Sequence, residues 1–573
     1  MPAVAPNIAS PATTGGDAGL PEPPARSDDA MTRPGPRPRR SPGTPLRWDR
    51  IGWGLLAALL GGAALRLGGV AWGLPVSLHP DEWVVVEGAI DMAQRNSFEP
   101  PFFMRPDHLE IQLSYLLFQA WSHLVAGASP EVAFTADPAP FYALARTVTA
   151  VLGTAMIPVA HLIGREYARS VGLVMAVGVA IFPPFVEHSR YATPDIPLTL
   201  AVMIAVLGAI RYARTQSWPD LTLATFGVAV GVTAKYPAII AAVAVGYAVV
   251  YGAARSRRPA LVFTRGLGAL GLFLLMVFLL SPTLFTNIAQ VRRELFQQNS
   301  TGHLGADGLD WAGNLAYYAQ GFLTEGGLLL TLFAAAGLVV ITWRRLWSAV
   351  PLLVGVVFWI AISALALHWA RWALPMYLTP VLLAGFGVVA AYRLAGGVRP
   401  PARRPAKAAV IALVALSAAS LLLSSVTSLV TALAPDTRAL AARDLAAAGI
   451  TAEDVISDGY TAFLADVVRT VATDLFVEDG VLRPRVADDA RAYVLTSSGM
   501  ADRYLKMPGT EGAAVYTAIA SQLIAEQSWE PVRDLPSSPW EPVDIVQDVA
   551  QLIAVWDGGA SGPRLVLYRF PAP

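Results

Sequence analysis

Long apolar runs recur from residue 52 to residue 431, separated by short polar or charged breaks. A helix that crosses a bilayer needs roughly 20 predominantly apolar residues. Eleven such spans are predicted, at 52–74, 140–163, 170–187, 194–211, 219–235, 237–253, 263–281, 326–343, 349–367, 372–392 and 408–431. The fifth and sixth run on as one apolar stretch, too long for one helix, which Lys235-Tyr236-Pro237 interrupts. Proline disfavours helix continuation and restricts the residue before it, so a hairpin is predicted there. Residues 1–47 are rich in Pro, Gly, Ala, Ser and Arg and show no apolar period, which predicts a disordered tail. That tail lacks a clean cleavage site, so the first span is expected to be retained. From residue 435 onward the apolar runs shorten and acids and turn residues appear. Residues 564–570 and 493–495 alternate like strands, and 439–448 and 514–525 read as helices. The predicted fold class is an α-helical polytopic membrane protein, with a transmembrane domain over 48–434 and a soluble α/β domain over 435–573.

Composition agrees with that division. The chain is 54% hydrophobic and 15% charged, where an ordinary soluble chain carries about 25% charge. Lys+Arg and Asp+Glu are equal at 42 each, so the net charge says nothing about partners. The placement of the charges says more. Basic clusters lie in the N-terminal tail, at Arg165/Arg169, at Arg211/Arg214, from Arg255 to Arg265, at Arg344/Arg345 and from Arg393 to Lys407. With eleven spans all of them fall on one side, which the positive-inside rule makes the cytoplasm. The C-terminal domain is then extracytoplasmic, and the protein is expected in the cell (cytoplasmic) membrane. Cysteine is absent, which excludes disulfides and thiolate metal sites.

The outer face receives a long loop over 75–139, with interfacial helices predicted at 81–95 and 107–125, the second of which reads equally as a packed core helix. It also receives the turn 187–195, a loop over 282–325 that includes Arg292, Arg293, Glu294 and His303, and the turn 368–372. No P-loop, dinucleotide fingerprint, His-Glu-x-x-His, Gly-x-Ser-x-Gly or Asp-x-Asp is present. Histidines are scattered, so no spacing indicates a divalent metal, and no cofactor is expected. The basic clusters sit beside spans and lack interleaved aromatics, so nucleic acid is not an expected partner.

What remains is a set of ionisable residues at span ends. The stretch Ser77-Leu78-His79-Pro80-Asp81-Glu82 follows the first span, and Asp195 opens the fourth. Arg190, Lys235 and Arg371 supply positive charge nearby, and the chain has just two other lysines, Lys407 and Lys506. Each residue alone has a plainer reading. Pro80-Asp81-Glu82 and Pro194-Asp195 suit helix starts, and the cations suit snorkelling or structural ion pairs at the interface. Together, cations at headgroup level suit a phosphate group, and a carboxylate beside them suits a general base acting on a hydroxyl. That combination describes sugar transfer from a polyprenyl-phosphate carrier embedded in the lipid bilayer. A transporter or flippase for a lipid-linked sugar is the rival reading, but transporters place ionisable groups near the bilayer midplane.

The span followed by Asp81-Glu82 and an interfacial helix resembles the GT-C glycosyltransferases. The group it resembles most contains protein O-mannosyltransferases and the lipid A aminoarabinose transferase. The resemblance continues in Ser189-Arg190 through Asp195, in Gly231 to Pro237 and in Arg371 to Pro380, and covers most of residues 50–395. Gly562 to Tyr568 also resembles the tail of bacterial members. The resemblance implies a GT-C transmembrane domain of about 11 helices and a polyprenyl-phosphate-linked sugar donor. It implies Asp81 as catalytic base, and Asp195 and Lys235 as the family's acid on the fourth span and its lysine before proline. On this reading Arg190 and Arg371 join Lys235 in holding the phosphate, and Glu82 orients the acceptor hydroxyl, which belongs to a glycan, lipid or protein. His79-Pro80 departs from the usual pattern and leaves the role of His79 open.

Overall fold

The apolar segments condense into helices, and the polar breaks between them become short turns in which the ionisable residues sit. The computed structural model describes residues 52–75, 79–298, 309–365, 368–459, 461–462, 470–486, 491–532 and 545–571. The predicted tail 1–47, Ser77, Leu78 and His303 lie outside the described residues.

The first helices are α1 (Trp53–Leu67), α2 (Glu82–Gln94), α3 (His108–Trp121), α4 (Pro130–Ala136), α5 (Ala139–Arg165), α6 (Arg169–Ile181) and α7 (Pro183–Glu187). They are followed by α8 (Asp195–Thr215), α9 (Trp218–Ala234), α10 (Ala242–Ser256), α11 (Ala260–Leu280), α12 (Thr283–Thr286) and α13 (Ile288–Gln298). The helical part closes with α14 (Trp311–Trp343), α15 (Val354–Ser363), α16 (Leu374–Gly396) and α17 (Pro400–Leu433).

Among the described residues, seven helices are long and apolar enough to cross a membrane, and an eighth if the bent pair α6–α7 counts as one span. The chain is a multi-pass membrane protein. Each of the eleven predicted spans contains helix, but several of these helices are short. α1 ends at Leu67, before Gly68-Gly69, and spans 15 residues; α9 spans 17; α15 spans 10, because Pro351 keeps the preceding turn in tight 3-10 form. The loop predicted over 282–325 is largely helical. α14 begins at Trp311 and breaks at Gly327, whose φ of 69° and ψ of 169° suit glycine.

α8 is the centre of the bundle. Most of its side chains are buried, and small residues let its neighbour approach closely. A Cβ at Gly208 would collide with the Ala224 backbone of α9, and one at Gly227 with the Ala205 backbone of α8. Gly337 of α14 and Gly387 of α16 allow the same backbone approach. Small residues at such crossings are how apolar helices associate where lipid supplies no hydrophobic driving force.

The break between α6 and α7 bends the chain by 61°. Pro183 and Pro184 have no N–H to offer the carbonyls of Val179 and Ala180, one helical turn back. Arg66 of α1 replaces both donors. Its Nη2 donates to Val179 O at 2.9 Å and its Nη1 to Ala180 O at 3.0 Å, with Arg66 fully buried. A charged residue inside the first predicted span thus completes the broken one and aims the 187–195 turn.

After α17 come α18 (Thr437–Ala447), β1 (Val455–Ser457), α19 (Val471–Asp474), β2 (Leu475–Glu478), β3 (Val481–Pro484) and β4 (Tyr493–Ser497). The chain ends with α20 (Ser498–Leu505), α21 (Glu511–Gln522), β5 (Ile524–Trp529), α22 (Ile545–Trp556) and β6 (Leu565–Arg569). The described strands form a sheet of order β1-β4-β6-β5, in which β1 and β4 are parallel and the other pairs antiparallel. β2 and β3 form a separate hairpin, turned by Asp479 and Gly480 at φ 51° and 78°, the left-handed geometry an Asp-Gly hairpin favours. The helix predicted over 514–525 stops at Gln522, because Ile524 and Ala525 pair with β6 instead.

Candidate active site

The ionisable residues singled out in the sequence stand at the ends of different helices. Asp81 immediately precedes α2, and Asp195 is the first residue of α8. Lys235 follows α9 in extended conformation, its N–H closing that helix on Gly231 O at 2.8 Å. Arg371 lies in the 3-10 turn Ala370–Ala373 that leads into α16.

The fold joins four of them. Arg371 Nη2 lies 2.6 Å from Asp81 Oδ2, and its Nε lies 3.7 Å from Asp195 Oδ2. Lys235 Nζ lies 2.7 Å from Asp195 Oδ1. Asp81 remains the most accessible of these side chains at 23%, against 17% for Arg371, 9% for Lys235 and 1% for Asp195. A chain of alternating charge thus runs from the buried Lys235 through Asp195 and Arg371 to the half-buried Asp81. α2 does begin beside Asp81, but the Asp81 carboxylate caps no helix N–H. Its Oδ2 is turned to two guanidinium groups instead.

One of those groups belongs to a residue the sequence reading passed over. Arg105 Nη1 lies 3.1 Å from Asp81 Oδ2, and Arg105 Nε donates to Asp107 Oδ2 at 2.9 Å. The loop carrying Arg105 is tied to the Lys235 segment. Asp107 N donates to Ala234 O at 3.1 Å and Tyr236 Oη donates to Phe103 O at 2.8 Å. Glu294 of α13 accepts from Phe103 N at 3.0 Å, so the 282–325 region braces this loop. The sequence signal for Arg105 was an Arg-Pro-Asp turn just before an interfacial helix, which alone reads as a helix start. Burial by itself would raise the Asp81 carboxyl, but Arg105 and Arg371 outweigh it and hold Asp81 well below the usual carboxylate range.

Glu82 is placed differently from its expected role. It is fully buried, and Arg146 of α5 donates to its Oε1 from Nε at 2.8 Å and to its Oε2 from Nη2 at 2.7 Å. Ala192 N donates to Oε1 at 2.9 Å. This bidentate pair fastens the start of α2 to α5 and to the 187–195 turn. Arg190 is likewise turned elsewhere, donating to Ser428 O at 2.7 Å and to Ser428 Oγ at 3.2 Å on α17. Neither side chain joins the Asp81–Arg371–Asp195–Lys235 chain in this geometry. His79 accepts from Asp81 N through Nδ1 at 3.2 Å, and its ring lies 4.8 Å from that of Tyr191. Burial lowers the His79 imidazole to about 4, and the carboxylates of Glu82 and Asp81 only partly oppose it.

Two tryptophans bring the α/β part to the same place. Arg371 and Arg503 of α20 lie over the Trp369 ring at 5.3 and 4.8 Å. Arg146 and Arg438 of α18 lie over the Trp72 ring at 5.4 and 5.8 Å. Among the described residues no group of three or more His, Asp or Glu side chains converges as a metal site.

The family described as dolichyl-phosphate-mannose-protein mannosyltransferase matches residues 143–283. The oligosaccharyltransferase of Archaeoglobus fulgidus, solved with a tethered acceptor peptide, superposes with a TM-score of 0.53 at 12% identity. The match covers 83% of this chain and 72% of that one. The chain has the fold of the GT-C glycosyltransferases. Two further structures match this chain less well. ArnT from Cupriavidus metallidurans, solved with undecaprenyl phosphate, gives a TM-score of 0.43 at 14% identity, over 70% of this chain and 73% of that one. The Pmt1-Pmt2 protein O-mannosyltransferase complex of S. cerevisiae, bound to the sugar donor, gives 0.33 at 18% identity, over 43% of this chain and 35% of that one. A search of curated protein sequences found no match.

Proposed function

We propose that the protein is a membrane glycosyltransferase that moves a sugar from a polyprenyl-phosphate carrier to an acceptor hydroxyl on the extracytoplasmic face, with inversion. The observation that carries this reading is the line of alternating charge Asp81–Arg371–Asp195–Lys235, drawn from four helix ends and open at Asp81. The matched mannosyltransferase family supports a lipid-phosphate sugar donor. Lys235 and Arg371 hold the donor phosphate, and Arg105, next to Asp81, adds a third positive charge. Asp81 takes the proton of the acceptor hydroxyl as its oxygen bonds to the anomeric carbon. The bond from that carbon to the phosphate oxygen breaks, and polyprenyl phosphate leaves with its charge stabilised by the cations. An Asp81 pinned by two guanidinium groups is a weak base. A phosphate that draws Arg371 to itself loosens that grip and raises the basicity of Asp81 when the donor is bound. Asp195 orients Lys235 and Arg371 from behind. Glu82 and Arg190 are positioning residues that fix the start of α2 and the 187–195 turn. The acceptor hydroxyl belongs to a glycan, lipid or protein that approaches from the side of the α/β part.

The eleven-helix topology belongs to the same proposal. A reporter active only outside the cell works when fused after residue 434, and a cytoplasmic reporter works at residue 400; two reporters on one side would overturn the topology. The function is tested by reconstituting the full chain in vesicles and adding radiolabelled polyprenyl-phosphate sugars together with a cell-envelope extract as source of acceptor hydroxyls. Expected is consumption of one of them with release of polyprenyl phosphate, lost in Asp81→Asn. Intact donor that crosses the bilayer would assign the chain to lipid-linked sugar transport instead.

A further inference from the structure

α22 is an amphipathic helix turned inside out. At 100° per residue, Ile545, Val546, Val549, Ile553 and Trp556 fall on one face. All five are exposed, from 42% at Ile545 and Val549 to 57% at Ile553, 75% at Val546 and 91% at Trp556. Asp548 lies on another side of the helix and is 5% exposed. A helix on a water-facing surface shows the reverse arrangement, apolar side in and polar side out. Single exposed apolar residues are normal on soluble surfaces, whereas five on one helical face form a patch.

The surroundings of α22 identify what covers that patch. α22 packs along α17, the last membrane-crossing helix. Residues directly after α22 are fastened where α17 ends: Ser561 N donates to Pro435 O at 2.8 Å, and Ser561 pairs with Asp436. α17 itself exposes Leu433 at that end and Leu422 about three turns earlier. The apolar face of α22 therefore continues the apolar flank of a membrane span at the level where the span leaves the bilayer. Trp556, on the same face and 91% exposed, is of the residue type favoured at the membrane–water boundary.

We propose that α22 lies in the plane of the leaflet from which α17 emerges, with the Ile545–Trp556 face inserted into lipid, so that the α/β part is anchored on the bilayer at a second point. Residues 545–557 contain no Lys or Arg. Insertion therefore draws on apolar burial and needs no anionic lipid. An anchor of this kind holds the α/β part, and with it Arg503 and Arg438, at a set height over the tryptophans beside the site.

Because the chain has no cysteine, a single introduced thiol is unique. Val549→Cys, Ile553→Cys, Gln547→Cys and, on exposed α18, Arg443→Cys are each spin-labelled in the full chain, in phosphatidylcholine nanodiscs loaded with one copy. Labels at 549 and 553 are expected to collide more with oxygen, which concentrates in lipid, than with a water-soluble nickel chelate. The ratio reverses at 547 and 443. Nickel dominance at 549 and 553 would place the face in water and overturn the proposal. Shielding from both probes would mean that protein covers the face, and would overturn it equally. The periodic contrast with 547 shows that α22 remains folded, so a loss of structure cannot imitate the expected result.

Discussion

The neighbouring acids Asp81 and Glu82 should respond in opposite ways to loss of charge. Asp81→Asn leaves each guanidinium with another acid: Arg105 keeps Asp107 at 2.9 Å, and Arg371 keeps Asp195 at 3.7 Å. With 23% of the Asp81 side chain accessible, its ion pairs are partly solvated. The stability cost is therefore about 1 kcal/mol. Its effect on turnover is large, because a positioned base contributes about 10²–10⁴-fold. That corresponds to roughly 3–5 kcal/mol of transition-state stabilisation. Glu82→Gln is the mirror image. Its amide cannot accept from both Arg146 donors, and a fully buried guanidinium is left without its anion. Breaking such a pair costs about 3–5 kcal/mol. Both variants are purified in nanodiscs, with thermal unfolding and donor turnover per folded molecule measured on the same samples. The expected order is Asp81→Asn stable and inactive, and Glu82→Gln destabilised with the folded fraction active. Wild-type turnover in Asp81→Asn would remove the base assignment. A fully stable but slow Glu82→Gln would show that Glu82 acts on substrate, which the buried geometry argues against.

Three further outcomes are expected. Lys235→Ala should weaken donor binding about tenfold or more, near 1.4 kcal/mol, with Lys235→Arg milder because the charge is kept; an unchanged donor Kd would show that Lys235 serves only to pair Asp195. Arg66→Leu strips two buried carbonyls of their donor at roughly 1–3 kcal/mol each, so it should lower the unfolding temperature more than Arg66→Lys, and equal losses would mean that general packing rather than carbonyl capping is at stake. The lowered His79 imidazole means that the unfolded chain binds the proton more tightly between about pH 4 and 6.5, so stability is retained above this window and falls as pH drops through it. His79→Gln should flatten that dependence in pH-resolved denaturation, and an unaltered slope would show that other groups set it.

Much of the chain was legible in one dimension because the bilayer allows few solutions. Apolar length marks where helices run, proline at 237 marks where one stops, and scarce charge in an apolar sequence marks Asp81, Asp195, Lys235 and Arg371 as residues in need of a reason. The helices α2 and α3 and the strands β4 and β6 follow from period and propensity alone. Tertiary structure decided which charges meet. Glu82 and Asp81 are adjacent in sequence, yet successive side chains at a helix start diverge by about 100°, so one faces Arg371 and the other Arg146. Arg190 reads as a site cation until Ser428, 238 residues away, takes its guanidinium. Arg66, which the sequence reading passed over, finds its reason in Pro183 and Pro184, more than a hundred residues later, which leave two carbonyls for it to satisfy. Ile524 and Ala525 carry helical periodicity but become strand because β6 offers them a ladder. Residue type and local pattern determined where a helix can form and which charges are costly; the partner that satisfies each cost was set by packing between distant segments, which no local pattern records.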